Sequence, residues 1–163
     1  MTTPARQVTF GAGYSFGNAV NFFPATGVTA PCSQPCLARS DAGDAELTLR
    51  PVAALRIDNQ YLFTRQRALE ASTAIFNNHI ARSSWNWQLS RELSVCVILQ
   101  YNSMLANPFY ASQPTSKNFN GDILFTYLLH PGTAIYVSYN SDFQNAEIDP
   151  ATHLIRFDEP TSQ

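Results

Sequence analysis

The chain has 163 residues, of which 13% are charged and 45% hydrophobic. That is about half the charge of an ordinary soluble domain, yet it is too apolar for a disordered chain. A net charge of −2 and a pI near 5.8 exclude a nucleic-acid binder that works through phosphate contacts. No apolar run approaches the roughly 18 residues of a membrane-crossing helix, and the densest stretch, residues 95–99, stops at Gln100.

The length predicts one domain over residues 1–163. Residues 1–7 lack the basic-then-apolar order of a signal peptide, so an export signal, if used, is expected outside this chain. In residues 8–16, Val8, Phe10, Ala12, Tyr14 and Phe16 alternate with the small or polar Thr9, Gly11, Gly13 and Ser15. Alternate side chains leave a strand on opposite faces, so a first strand is predicted near 7–17. A long loop rich in Pro, Ser, Asn and Ala follows over 18–43. Strands are predicted near 44–50 and 54–65, joined tightly through Pro51. In the second, Leu55, Ile57, Tyr61 and Phe63 oppose Arg56, Asp58, Gln60 and Thr64.

Residues 66–74 hold the helix-prone Ala68, Leu69, Glu70 and Ala71, which allow one helical turn at most. A strand near 76–90 sets Ala81, Trp85, Trp87 and Leu89 against Arg82, Ser84, Asn86 and Gln88. After the short Ser90-Arg91-Glu92 turn, a strand near 92–102 sets Leu93, Val95, Val97, Leu99 and Tyr101 against Ser94, Cys96, Gln100 and Asn102; Ile98 breaks the pattern. A second long loop is predicted over 103–120. The strand near 121–130 places Ile123, Phe125, Tyr127 and Leu129 against Asp122, Thr126 and His130. Pro131-Gly132 is turn chemistry. The strand near 133–141 carries Ile135, Val137 and Tyr139 against Ala134, Ser138 and Asn140. A weaker eighth candidate lies at 153–157. The fold class is all-β, an antiparallel meander of about seven to eight long strands.

Short and long connections alternate, as they do in an outer-membrane barrel with tight periplasmic turns and longer outer loops. The alternating segments run about 9–13 residues, enough to cross the hydrocarbon layer at a tilt, whereas soluble strands hold about 5–6. The expectation is a transmembrane β-barrel or a part of a larger one, in the bacterial outer membrane. Its polar parity would line a wet interior and its aromatic parity would face lipid. It would anchor an exported protein or form a porin-like passage for small polar solutes. Its partners would then be outer-membrane lipid and the remaining strands of a parent chain, with no nucleic acid.

Three segments carry a family resemblance: residues 45–51 with 55–65, residues 80–94, and residues 128–140. Together they resemble the barrel hairpins of a poorly characterised family of bacterial outer-membrane proteins, whose members join an N-terminal module resembling family-nine carbohydrate-binding modules to a large C-terminal β-barrel. The likeness spans about residues 45–145 and lies in hairpin patterns, not catalytic motifs. It implies a barrel in the outer membrane and a carbohydrate-related solute or target. The chain departs from that family in having no carbohydrate-binding-like module, no export signal and no closing strand with a terminal aromatic residue. Those departures lead to the expectation of a C-terminal piece cut short of its last strand, with a complete eight-stranded barrel as the alternative.

Arg56, Asp58, Arg82, Asn86 and Gln88 are the candidates for the lumen. There they would set a selectivity field or fill a narrow barrel with their own network. Tyr61, Phe63, Trp85, Trp87, Tyr101, Tyr127 and Tyr139 form an expected aromatic girdle, with a sugar-stacking platform as the other reading. Cys32 and Cys36 are a disulfide candidate in an exported loop, and Cys96 is a small filler on a polar face. No cluster has metal-ligand spacing, no cofactor motif is present, and residues 10–14 lack the helix that a nucleotide loop needs. Two competing functions stay open. A membrane-embedded hydrolase would bring His79, His130 or His153 onto Ser83, Ser84 or Ser94 and a carboxylate such as Asp58. A soluble β-sandwich binding module would bury Trp85, Trp87, Val97 and Phe125 in a closed core.

Overall fold

The computed structural model describes residues 2–5, 7–25, 34–69, 73–130 and 132–145. Its elements are β1 (Thr2–Ala5), β2 (Val8–Asn21), β3 (Cys36–Val52), β4 (Leu55–Ala68), β5 (Ala74–Gln88), β6 (Leu93–Ala106), β7 (Ser116–His130) and β8 (Thr133–Asn145). They form one sheet in the order β1-β2-β3-β4-β5-β6-β7-β8, every neighbouring pair antiparallel. No helix occurs among the described residues. The all-β antiparallel meander is therefore as the alternation predicts. β1 and β8 stand at the two ends of that order.

The strands are longer than the alternation marks. β2 runs on to Asn21, β3 begins at Cys36, β6 continues to Ala106 and β7 starts at Ser116. Much of the predicted loops 18–43 and 103–120 is thus strand. The helix-prone stretch is corrected as well, because Gln66, Arg67 and Ala68 extend β4. A further short strand, β1, pairs with β2, and the sequence reading did not include it. The eighth candidate at 153–157 lies outside the described residues.

At the other end the hairpins are tight. Val52 pairs with Leu55 across Ala53-Ala54, and His130 pairs with Thr133. In that last turn Gly132 takes φ = +93°, a conformation that suits glycine because a Cβ would crowd the backbone. Between β5 and β6, the Ser90 hydroxyl oxygen accepts from the backbone N–H groups of Glu92 at 3.2 Å and Leu93 at 3.0 Å, which closes the chain locally.

Register decides which residues share a face, because directly paired residues point the same way. One face carries Val8, Leu49, Ile57, Trp85, Val97, Ile123 and Tyr139 in a single row across seven strands. The other carries Thr48, Asp58, Ser84, Ile98, Asp122 and Asn140 in the neighbouring row. Among the described residues no second layer covers the apolar face. Trp85 is 45% exposed, Trp87 50% and Phe125 46%, so the closed core that a β-sandwich requires is not formed around them. The buried hydrophobic residues among those described are Ala25, Ala38, Ile75 and Ala111.

That small core sits on the polar-face side at the long-loop end. Ala38 and Ala68 pair on one face, and so do Phe76 and Ala106. Ala111 packs with Ala38 and Ile75, beside these residues and Tyr110. The segment after β6 therefore lies over the polar face and meets the segment after β2. Ala25 N–H donates to Tyr110 O at 3.2 Å and Ser112 N–H to Phe23 O at 3.1 Å. The Asn21 side-chain amide also donates to Tyr110 O at 3.0 Å. Alanines at 38, 68 and 106 leave room for that strap, since a larger Cβ substituent would fill the space it occupies.

Candidate functional site

The polar face is the candidate site, and it is assembled by register. The row Glu46–Gln60–Arg82–Gln100–Asn120–Asp142 is polar on six successive strands. Beside it, the Thr48 hydroxyl donates to Asp58 at 2.7 Å. Arg56 Nε reaches the same carboxylate at 2.8 Å. The Gln60 amide donates to Glu46 at 3.2 Å. Glu46, Thr48, Arg56, Asp58, Gln60, Arg82 and Ser84 line a depression of about 350 Å³, wide enough for several waters or one small polar solute.

Of the expected lumen candidates, Arg56, Asp58 and Arg82 meet in this depression. Asn86 and Gln88 share the face but lie toward the short turns, paired with Cys96 and Ser94. Asn86 donates to Ser84 Oγ at 3.4 Å, and Gln88 to Ser90 O at 2.7 Å. Gln100, Asp122 and Asn140 stand on the polar parity the alternation assigns them but were not among the named lumen candidates, and Glu46, Asn120 and Asp142 were missed. Carrying the parity of Arg56 and Asp58 across the following hairpins would have found them. Gly13, opposite Asp44, matters as well: a Cβ there would collide with the Asp44 carboxylate.

Charge is segregated between the faces. Among register-paired residues of β2–β8, the polar face holds Asp44, Glu46, Asp58, Asp122 and Asp142 against Arg56 and Arg82. The aromatic face holds one carboxylate, Asp41, and its Arg39, Arg65, Arg67 and Lys117 all stand near the long-loop end.

All seven girdle candidates stand on the aromatic face, in two levels. Trp85, Trp87, Tyr127 and Tyr139 lie toward the short turns. Tyr61, Tyr101 and Phe63 lie four to six residues farther along the register than Trp85, which is about 13–20 Å of strand. Polar atoms between the levels satisfy one another. Trp85 Nε1–H donates to Ser83 Oγ at 2.8 Å, and that hydroxyl donates to Asn59 Oδ1 at 2.8 Å. Phe10, Leu47, Tyr61, Leu99, Tyr101 and Phe119 rim a shallow trough of about 490 Å³ floored by Ala45, Ala81 and Ser83.

Among the described residues the hydrolase arrangement is not assembled. His79 Nδ1 is 2.7 Å from the Tyr61 hydroxyl, and Phe63 packs on its ring at 5.0 Å. Ser83 is bonded as described, while Ser84, Ser94 and Asp58 stand on the opposite face from His79. His130 ends β7, and His153 lies outside the described residues. Cys36 is disulfide-bonded; Cys32, its expected partner, lies outside the described residues. Cys96 is a free thiol on the polar face between Asn86 and Leu124.

No family model, no curated protein and no solved structure matches this chain.

Proposed function

We propose that the chain is the wall of a bacterial outer-membrane β-barrel, which anchors an exported protein or lines a passage for small polar solutes. The observation that carries this reading is the contrast between the faces of one sheet. Leu93, Val95, Val97, Leu99 and Tyr101 of β6 stand on a face that no described segment covers, while Gln100 and Asn102 stand on the opposite, charged face. In water so wide an uncovered apolar surface is unfavourable at about 25 cal/mol per Å², and hydrocarbon removes that cost. Strands of 13–17 residues exceed the 9–11 needed to cross a bilayer at a tilt. The paired hydrogen bonds within the aromatic face also suit a medium that offers no partners.

In this reading the edges of β1 and β8 meet further strands of the parent chain or each other, because an open edge is not tolerated in lipid. The polar face then lines the interior. Five carboxylates against two guanidinium groups make that interior favour cations. A carbohydrate-related solute follows only from the hairpin resemblance.

The test is refolding of the whole chain into detergent micelles and, in parallel, into plain buffer. Strand circular dichroism with heat-modified gel mobility in detergent alone is the expected result. A stable, monodisperse β-protein in plain buffer would overturn the membrane reading.

A further inference from the structure

Three arginines on the aromatic face are left short of negative charge. Arg39 on β3 pairs directly with Arg67 on β4, and Arg65 pairs with Asp41. Like charges placed directly opposite each other across two strands repel. Among the described residues Asp41 is the only carboxylate on this face of β2–β8, and it is already engaged, accepting from the Tyr14 hydroxyl at 2.9 Å and pairing with Arg67. Among the described residues one carboxylate therefore serves three guanidinium groups. The Nε–H groups of Arg65 and Arg67 are buried with no acceptor among the described residues, and a buried donor without a partner is unfavourable. Beside them opens a depression of about 460 Å³, lined by Phe16, Asn18, Arg39, Ser40, Asp41 and Arg67.

We infer that this depression binds the phosphate of an anionic lipid head group; the inference rests on the outer-membrane reading. Guanidinium forks match phosphate oxygens two at a time. Height fits as well. Arg65 and Arg67 follow Phe63 by two and four residues, about 7–13 Å of strand beyond the aromatic level, where head groups meet the end of the apolar band. Below the arginines, Phe16, Tyr14 and Phe10 continue down the same face of β2 and give acyl chains a surface to lie on. The ligand is thus a phosphorylated lipid of the leaflet on the long-loop side, with its phosphate between Arg39 and Arg67 and Arg65 adding positive charge from its place opposite Asp41.

The experiment uses the full chain inserted into phosphatidylcholine vesicles, with heat-modified mobility as the check on insertion. Diphosphoryl lipid A and its dephosphorylated counterpart are then titrated in, and inorganic phosphate is added as a soluble competitor. The phosphorylated lipid is expected to bind and to raise the temperature of the mobility shift, and its counterpart is not. Arg39→Gln, which leaves the Asp41–Arg67 pair in place, weakens that binding. Arg39→Gln/Arg65→Gln/Arg67→Gln weakens it about tenfold or more while insertion persists. Equal binding of the two lipids, or unchanged affinity in both variants, overturns the proposal. So does displacement of the lipid by inorganic phosphate, which would make the site one for free anions. Failure to insert into phosphatidylcholine at all refutes the underlying membrane reading instead.

Discussion

Asp41 shows how one residue joins neighbouring strands. Its carboxylate takes the Tyr14 hydroxyl from β2 and Arg67 from β4, so removing it strands two donors at once. Asp41→Ala is expected to destabilise the folded chain, read as a lower urea midpoint. Glycines separate into those that matter and those that do not. Gly132 sits at φ = +93°, and Gly132→Ala should cost about 1–2 kcal/mol. A Cβ at Gly17 meets nothing within 4 Å, so Gly17→Ala should be neutral or slightly stabilising. Equal effects of the two substitutions in one urea series would contradict this account. None of these pairings is written in the local pattern, because Tyr14 and Arg67 are 27 and 26 residues from Asp41.

At the scale of one strand, parity is the property to test. Leu99 and Ile98 are adjacent in β6, yet Leu99 stands with Ser83 and Gly121 on the aromatic face and Ile98 with Ser84 and Asp122 on the charged one. In a barrel wall, Leu99→Arg should cost about 2–4 kcal/mol near the bilayer midplane, while Ile98→Arg gains Asp122 as a neighbour and is tolerated. Folding titrations into vesicles measure both, and equal penalties would contradict the assignment of faces. The strand centres were legible from residues such as Val95, Val97 and Leu99 because one parity is apolar there. The strand ends were not. Asn18, Arg39, Asp41, Asn77 and Ser103 are polar on the aromatic parity, so alternation fades while the backbone ladder continues. The hydrogen bonds of a ladder do not depend on side-chain character.

For the molecule as a whole, the consequence is electrical. If the polar face lines a passage, the excess of Asp44, Glu46, Asp58, Asp122 and Asp142 over Arg56 and Arg82 should make conductance cation-selective. Reversal potentials in a salt gradient across a planar bilayer measure this directly. Glu46→Gln with Asp142→Asn, one row on distant strands, should reduce the selectivity; an anion-selective current would contradict the assignment of the polar face as the lumen.

The sequence alone determined that the chain is all-β, where most strands centre, and that within single strands Arg56 and Asp58 oppose Tyr61 and Arg82 opposes Trp85. It could do so because strand side chains alternate with period two, so each strand writes its own two faces. It did not determine which face is covered, or which charges meet. Those were decided by register and by the strap that lays Ala111 over Ala38 and Ile75. Register sets Arg39 against Arg67 and Glu46 against Gln60, and it depends on hydrogen bonds between segments that no local period connects.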